Sequence, residues 1–298
     1  MMNCVRCLAV TTALVMVAAA APLAQQAPRE PVRSIARLTG DLYRVQNNDH
    51  YTVFLVTPAG IILADPINVE LATWLEGELT RRFPNSPVRY VLYSHHHQDH
   101  ASGAALFNDT AELIGHENFN AGLEASQAQD PKRYGGVVPV ESTYSGRRTV
   151  TLGGRTVNLI HPGRTPHASD FTVLHFPAER VVVGVDFMAV KMVPGTVMLA
   201  NGASIQEYID AVRAVEALDV DTVSPGHGPT GTKADLVAFR QYYERLQERV
   251  RAGIAKGQTV EQLQAAKIMD EFKDWIEYDE DNDVNIANAY KTLSAQKR

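Results

Sequence analysis

One ten-residue stretch constrains this chain more than any other: Val91-Leu92-Tyr93-Ser94-His95-His96-His97-Gln98-Asp99-His100. An apolar run, residues 90–93, breaks abruptly into four histidines and one aspartate. Such a run reads as a buried strand, and the break reads as a loop at its C-terminal end. His95, His97 and Asp99 alternate, and His100 follows directly. In a loop, that spacing lets several side chains converge on one point. Neutral imidazole and carboxylate are the donors that zinc and similar divalent ions take. A merely polar, histidine-rich surface loop needs no particular strand before it. Four of the chain's ten histidines packed directly behind a buried strand therefore point to a metal site.

The chain's 298 residues suffice for a large core, as one big domain or two. With 45% hydrophobic and 21% charged residues, the composition is that of an ordinary globular protein. The net charge of −6, without basic clusters, argues against a nucleic-acid surface. Residues 8–21 form an unbroken apolar and small-residue run after Arg6. Residues 1–24 thus read as a secretory signal peptide, too short for a comfortable membrane span, with a retained anchor as the alternative. Both cysteines, Cys4 and Cys7, lie inside it. The mature chain then has no disulfide and no thiolate to act as ligand or nucleophile. Residues 25–34 read as a flexible leader, with order beginning near Ile35, and residues 35–298 as the functional domain with C-terminal helices.

Strands are expected over 41–45, 51–56 and 61–64, an antiparallel meander closed by Asp65-Pro66. Asp65 either caps the helix expected over 69–83 or orients a ligand histidine from behind. The strand 88–93 delivers the histidine loop, a short helix follows over 101–107, and the strand 111–116 ends in His116. Residues 117–145 are weakly patterned and polar, and read as a lid or loop excursion near the site. A hairpin around Gly153-Gly154 opens a second half. Its loop over 161–170 holds His161 and His167, and Asp186 ends an apolar strand. A helix over 203–218 and a short strand lead into Ser224-Pro225-Gly226-His227-Gly228-Pro229. Helices over 233–255 and 260–272 complete the chain. Meanders alternating with helices, twice over, predict two α/β halves packed sheet to sheet.

The arrangement His95-x-His97-x-Asp99-His100 resembles the signature of the metallo-β-lactamase superfamily. With the downstream positions, the resemblance runs over roughly residues 40 to 230. It implies an α/β (α+β) fold, the four-layer αββα sandwich. It also implies that His95, His97 and His167 hold one metal, that Asp99, His100 and His227 hold a second, and that Asp186 bridges them. His161 competes with His167, because many members read Gly-His-Thr or Arg-x-His-Thr where this chain reads Gly163-Arg164-Thr165-Pro166-His167. Two Zn2+ ions per chain are the default for these donors, and iron or manganese fits much of the set.

The function this implies is an exported, binuclear-zinc-dependent hydrolase acting on a small cyclic amide, lactone or ester. A metal-bound hydroxide would be the nucleophile, with Asp99 orienting it and moving its proton. Two alternatives share the fold: a mononuclear-iron dioxygenase, and a thioester hydrolase of the glyoxalase II type. The cysteine-free site excludes the β-lactamase subclasses with a cysteine ligand, and the net charge disfavours the nuclease branch. Lys191 and His116 are further candidates for substrate binding, Lys191 because some β-lactamases hold a substrate carboxylate with a lysine near this position. His50 could line the pocket, His96 should point away from the metals, and His175 should pack in a strand. The expected partner is a small-molecule substrate, with no nucleic acid and no membrane span after signal cleavage. The expected location is periplasmic or secreted.

Overall fold

The computed structural model describes residues 30–195 and 204–295, and the folded unit begins at Val32. The expected signal peptide lies outside the described residues.

The first sheet opens with four antiparallel strands: β1 (Arg33–Thr39), β2 (Leu42–Asn47), β3 (His50–Thr57) and β4 (Gly60–Ala64). The first of them corrects the expected leader. Order reaches back to Arg33, which pairs with Asn47, and β1 escapes notice because none of its side chains is fully buried. A helix, α1 (Val69–Arg82), then carries the chain to the parallel strands β5 (Val88–Leu92), β6 (Glu112–His116) and β7 (Ser142–Tyr144). Between these strands lie α2 (Gln98–Ala101), α3 (Phe119–Gln129) and α4 (Pro131–Tyr134). The second sheet runs in order through β8 (Arg147–Leu152), β9 (Arg155–Ile160), β10 (Val173–Phe176), β11 (Val181–Gly184), β12 (Thr222–Pro225) and β13 (Gly231–Thr232). Its strands are antiparallel except where β11 meets β12. The helices α5 (Ile205–Glu216), α6 (Lys233–Ala255), α7 (Val260–Ala265) and α8 (Tyr278–Ala295) complete the described chain.

Strand alternation divides the apolar residues among three cores. In the β3/β4 pair, Phe54 faces Leu63 and both join the core under α1 and α3. Their neighbours Leu55 and Ile62 turn the other way, into the core between the sheets. There they meet Leu159, Leu174 and Val183 of the second sheet. The far face of that sheet packs Val182 and Val223 against Ile209, Val212, Phe239 and Leu246 of α5 and α6. Helix, sheet, sheet and helix thus form the αββα sandwich.

Two local readings change. Asp65 does not cap α1: Asn68 does, accepting from the Leu71 backbone N–H at 2.8 Å. Residues 117–145 are not a structureless lid: they contain α3 and α4, and α3 buries Phe119 and Leu123 while the stretch after α4 buries Val137 and Val140, all in the first core. The helical signal is faint because only Phe119 and Leu123 are buried along α3. At the C-terminus, the helix expected over 260–272 stops at Ala265, and α8 lies beyond the expected range.

Candidate metal centre

The parallel strands β4, β5 and β6 end on one rim of the sheet, where open α/β sheets commonly build their sites. Past the end of β5, the Ser94 backbone N–H donates to Asp65 Oδ1 at 2.8 Å. Ser94 Oγ lies 2.9 Å from His95 Nδ1, which leaves His95 Nε2 facing the cleft. Asp65 therefore acts from behind the loop, through Ser94. Burial raises its carboxyl to about 6, against the pull of His100. His97 precedes α2, and its carbonyl accepts from the N–H groups of His100 and Ala101, so the chain turns and brings His100 back beside His95.

His96 takes the opposite direction. Its N–H donates to Asp170 Oδ2 at 2.8 Å, its Nδ1 lies 2.9 Å from Asp170 Oδ1, and its Nε2 lies 3.1 Å from Ser126 Oγ. Asp170 is fully buried, so this contact ties the loop to the second half of the fold and, through Ser126, to α3. The helix comes so close that a Cβ on Gly122 would sit 2.8 Å from the His96 ring.

Two donor clusters result. One ligand atom from each of His95, His97, His167 and Asp186 lies within 4.8 Å of the others, and the same holds for His50, Asp99, His100 and His227. Asp186 stands between the clusters. Its Oδ2 is 3.7 Å from His95 Nε2, 3.4 Å from His167 Nε2 and 3.1 Å from His100 Nε2, and its Oδ1 is 3.3 Å from His227 Nε2. Asp186 follows the end of β11 in the left-handed region, at φ 54°, a strained conformation of the kind that gathers at functional sites. His227 reaches it because the β11 and β12 ends touch: a Cβ on Gly226 would lie 2.6 Å from Val185 Cγ1.

The charges in this nest oppose one another. Burial would raise the Asp186 carboxyl, but His100 and the surrounding imidazoles hold it well below the usual range. Burial would lower His100, but Asp186, then Asp99 and Asp65, hold it up at about 9. Burial and the neighbouring His167 push His97 down to about 3, and burial with His97 pushes His95 well below the ordinary histidine value. Asp99 stays ionised despite burial, through His50 and His100. His95 Nε2 and both ring nitrogens of His100 are buried without a hydrogen bond of good geometry. Buried polar atoms seldom go unsatisfied. Lone pairs aimed at a shared point beside a buried carboxylate are a donor set that fits divalent cations, so the residues present suit the expected metals.

A cavity of about 460 Å³ opens over both clusters. Asp99, His167, Asp186 and His227 lie on its floor, and Met188, Met192, Val193, Pro194 and Phe239 line it with apolar surface. Asp49 and Glu277 add two carboxylates. Lys191 is not among the lining residues; it is exposed, and its charge acts on Asp235. His116 is also away from the cavity, stacked on His161 with ring centroids 3.9 Å apart. The structure thus brings His167, and not His161, to the cluster. His161 instead turns its Nδ1 to the Phe171 carbonyl at 2.9 Å. His175 is buried in β10, opposite Val182. His50 joins the second cluster, a position that sequence reasoning left as mere pocket lining. Its only sequence signal is its place at the start of a strand, beside Asp49.

The family model described as the Metallo-beta-lactamase superfamily matches residues 69–227. A curated relative, the 2,4-dinitroanisole O-demethylase subunit alpha of Nocardioides sp. (strain JS1661), is 29% identical over 202 residues. That match covers 66% of this chain and 58% of the relative, so the chain spans little more than half of that protein's length. Among solved structures, a metallo-beta-lactamase from Pontibacter korlensis superposes with a TM-score of 0.60 at 16% identity, over 72% of this chain and 99% of that one. The stereoselective inverting sec-alkylsulfatase Pisa1 from Pseudomonas sp. superposes with a TM-score of 0.67 at 17% identity, over 87% of this chain and 50% of that one. At such identities the structural matches speak for the fold.

Proposed function

The chain belongs to the metallo-β-lactamase superfamily, and from there we propose that it is an exported, two-zinc hydrolase of small, neutral, largely apolar substrates. Cyclic amides, lactones and esters remain the substrate classes. The relative named for 2,4-dinitroanisole adds an activated aryl ether, which is also neutral. The observation that carries the reading is two histidine-carboxylate clusters meeting at Asp186 on the floor of an apolar cavity. Export rests on the apolar run over residues 8–21 after Arg6.

A pair of divalent cations held there would supply, near neutral pH, a water-derived nucleophile and polarisation of the substrate's oxygen. His95, His97 and His167 would hold one of them, Asp99, His100 and His227 the other, with Asp186 shared. The chain's own residues do the remaining work. Asp99, which lines the cavity and is held ionised by His50 and His100, would accept a proton from the attacking water and pass it to the leaving group. Met188, Met192, Val193 and Phe239 exclude water from the substrate's apolar part. Asp49 and Glu277 repel anions, and no lysine or arginine is among the described residues that line the cavity. This charge pattern favours neutral or cationic substrates over β-lactams and sulfates, which carry negative charge.

The test is a panel of chromogenic substrates on the zinc-loaded protein, with aryl esters, lactones and nitroaryl ethers set against an anionic β-lactam and an alkyl sulfate. Turnover should be fastest on a neutral member, and Asp99→Ala should lower it about 100-fold or more, the scale of lost general acid–base help. Fastest turnover on an anion overturns the substrate class. A native protein that carries one iron and oxidises its substrate overturns the hydrolase.

A further inference from the structure

We propose that His50 is a further protein ligand of the second metal site, binding through Nε2, with Asp49 as the carboxylate that fixes its tautomer. The superfamily signature supplies Asp99, His100 and His227 to that site, with Asp186 shared between the two. His50 comes from a different part of the chain, the first residue of β3, outside the residues matched by the family model.

Three observations place it there. First, its backbone is locked to the His227 loop. His50 and His227 form an isolated antiparallel bridge, and the Tyr51 N–H donates to the Gly226 carbonyl at 2.7 Å. Second, the ring is packed among the other donors. Its centroid is 4.5 Å from that of His227 and 5.5 Å from that of His100, and its Nε2 is 3.6 Å from Asp99 Oδ2. That last distance is too long for a hydrogen bond, yet short enough for two atoms that share a cation between them. Third, Asp49 Oδ1 lies 3.0 Å from His50 Nδ1. A neutral imidazole carries one N–H. Donating it from Nδ1 to Asp49 leaves the lone pair on Nε2, which faces Asp99, His100 and His227. A carboxylate behind a ligand histidine is the usual way that a protein fixes ring orientation and raises donor strength.

With His50 included, three imidazoles and the Asp99 carboxylate would surround the second position, beside the shared Asp186. The turn between β2 and β3 then becomes part of the centre, and Asp49 couples the cavity to the metal.

This inference rests on the two-metal reading, and metal binding tests the two separately. Metal-free wild type, His50→Ala, His50→Gln and Asp49→Asn are titrated with zinc against a chromophoric chelator, and bound metal is counted after dialysis. Circular dichroism checks that each variant is folded, and His50→Gln keeps the side chain polar and of similar length. The wild type should take up two ions. Both His50 variants should keep one at wild-type affinity and bind the second about 100-fold more weakly. Asp49→Asn should weaken the second about tenfold, within the range seen when a residue behind a ligand is lost. A wild type with two ions and folded His50 variants with unchanged second-site affinity overturn the role of His50 alone. A wild type that binds fewer than two ions overturns the two-metal reading and this inference with it.

Discussion

Asp186 shows what one buried carboxylate imposes on its surroundings. Its oxygens lie within 4 Å of four imidazoles, in a place with little access to water. A buried charge is retained only when it is compensated. In the metal-free protein a proton on His100 does this, at a pKa of about 9 against 6.5 for an ordinary histidine. Because the folded value is the raised one, the stabilisation is complete below about pH 6.5 and is lost as pH rises through about 9. A cation must displace that proton to use the His100 lone pair. Apparent zinc affinity should therefore rise by up to about tenfold per pH unit across this window and level off above it, with proton release on binding at pH 7. Chelator competition at a series of pH values, together with calorimetry in two buffers, measures both. A flat profile with no proton release would show that His100 is already neutral.

At the scale of elements, the centre is made of strand ends, and the contacts between those ends decide its geometry. Arg44 on β2 is one such contact. Its Nη2 donates to the carbonyls of Pro225 at 3.1 Å and Gly228 at 2.7 Å, on either side of His227. The guanidinium lies 3.6 Å over the Tyr51 ring, and burial lowers its pKa to about 10, still fully charged at neutral pH. Two carbonyls lose their donor in Arg44→Ala, so the protein should be less stable by about 2 kcal/mol. The freed His227 loop should also lower turnover more than an exposed substitution such as Arg251→Ala does. Thermal unfolding and steady-state kinetics on the two variants check this. Equal behaviour of both would remove Arg44 from the support of the site. His96 and Asp170 do comparable work on the other side, which makes His96 a structural tie of the loop.

At the scale of the whole molecule, the layers follow from which strand faces carry apolar residues, while the proposed export rests on the run over residues 8–21. The three cores lie within the described residues from Val32 onward, where no helix is long and apolar enough to cross a membrane. The proposed signal lies before them. Mass spectrometry of the protein from a periplasmic or secreted fraction should show a new N-terminus near residues 20–24 and no cysteine. An intact Met1 in a cytoplasmic fraction would overturn export. The two packed α/β halves were legible from short, nearly continuous apolar runs such as residues 61–64 and 181–183, alternating with helical stretches, because a strand buried on both faces carries apolar residues at every position. The loop from His95 to His100 was legible because its donors are neighbours in the chain. Where the sequence offered His161 or His167, cap or support for Asp65, and Lys191 or His116 in the pocket, packing decided. His167 entered the cluster, Asp65 took Ser94, and Lys191 and His116 stayed outside. His50 is the clearest case. Its place at a strand start beside Asp49 does not mark it as a ligand, and it meets His227 only because the start of β3 bridges to the loop after β12. Periodicity and adjacency are properties of the chain, so they survive in one dimension, whereas the meeting of distant strand ends depends on register and on the packing of the two sheets.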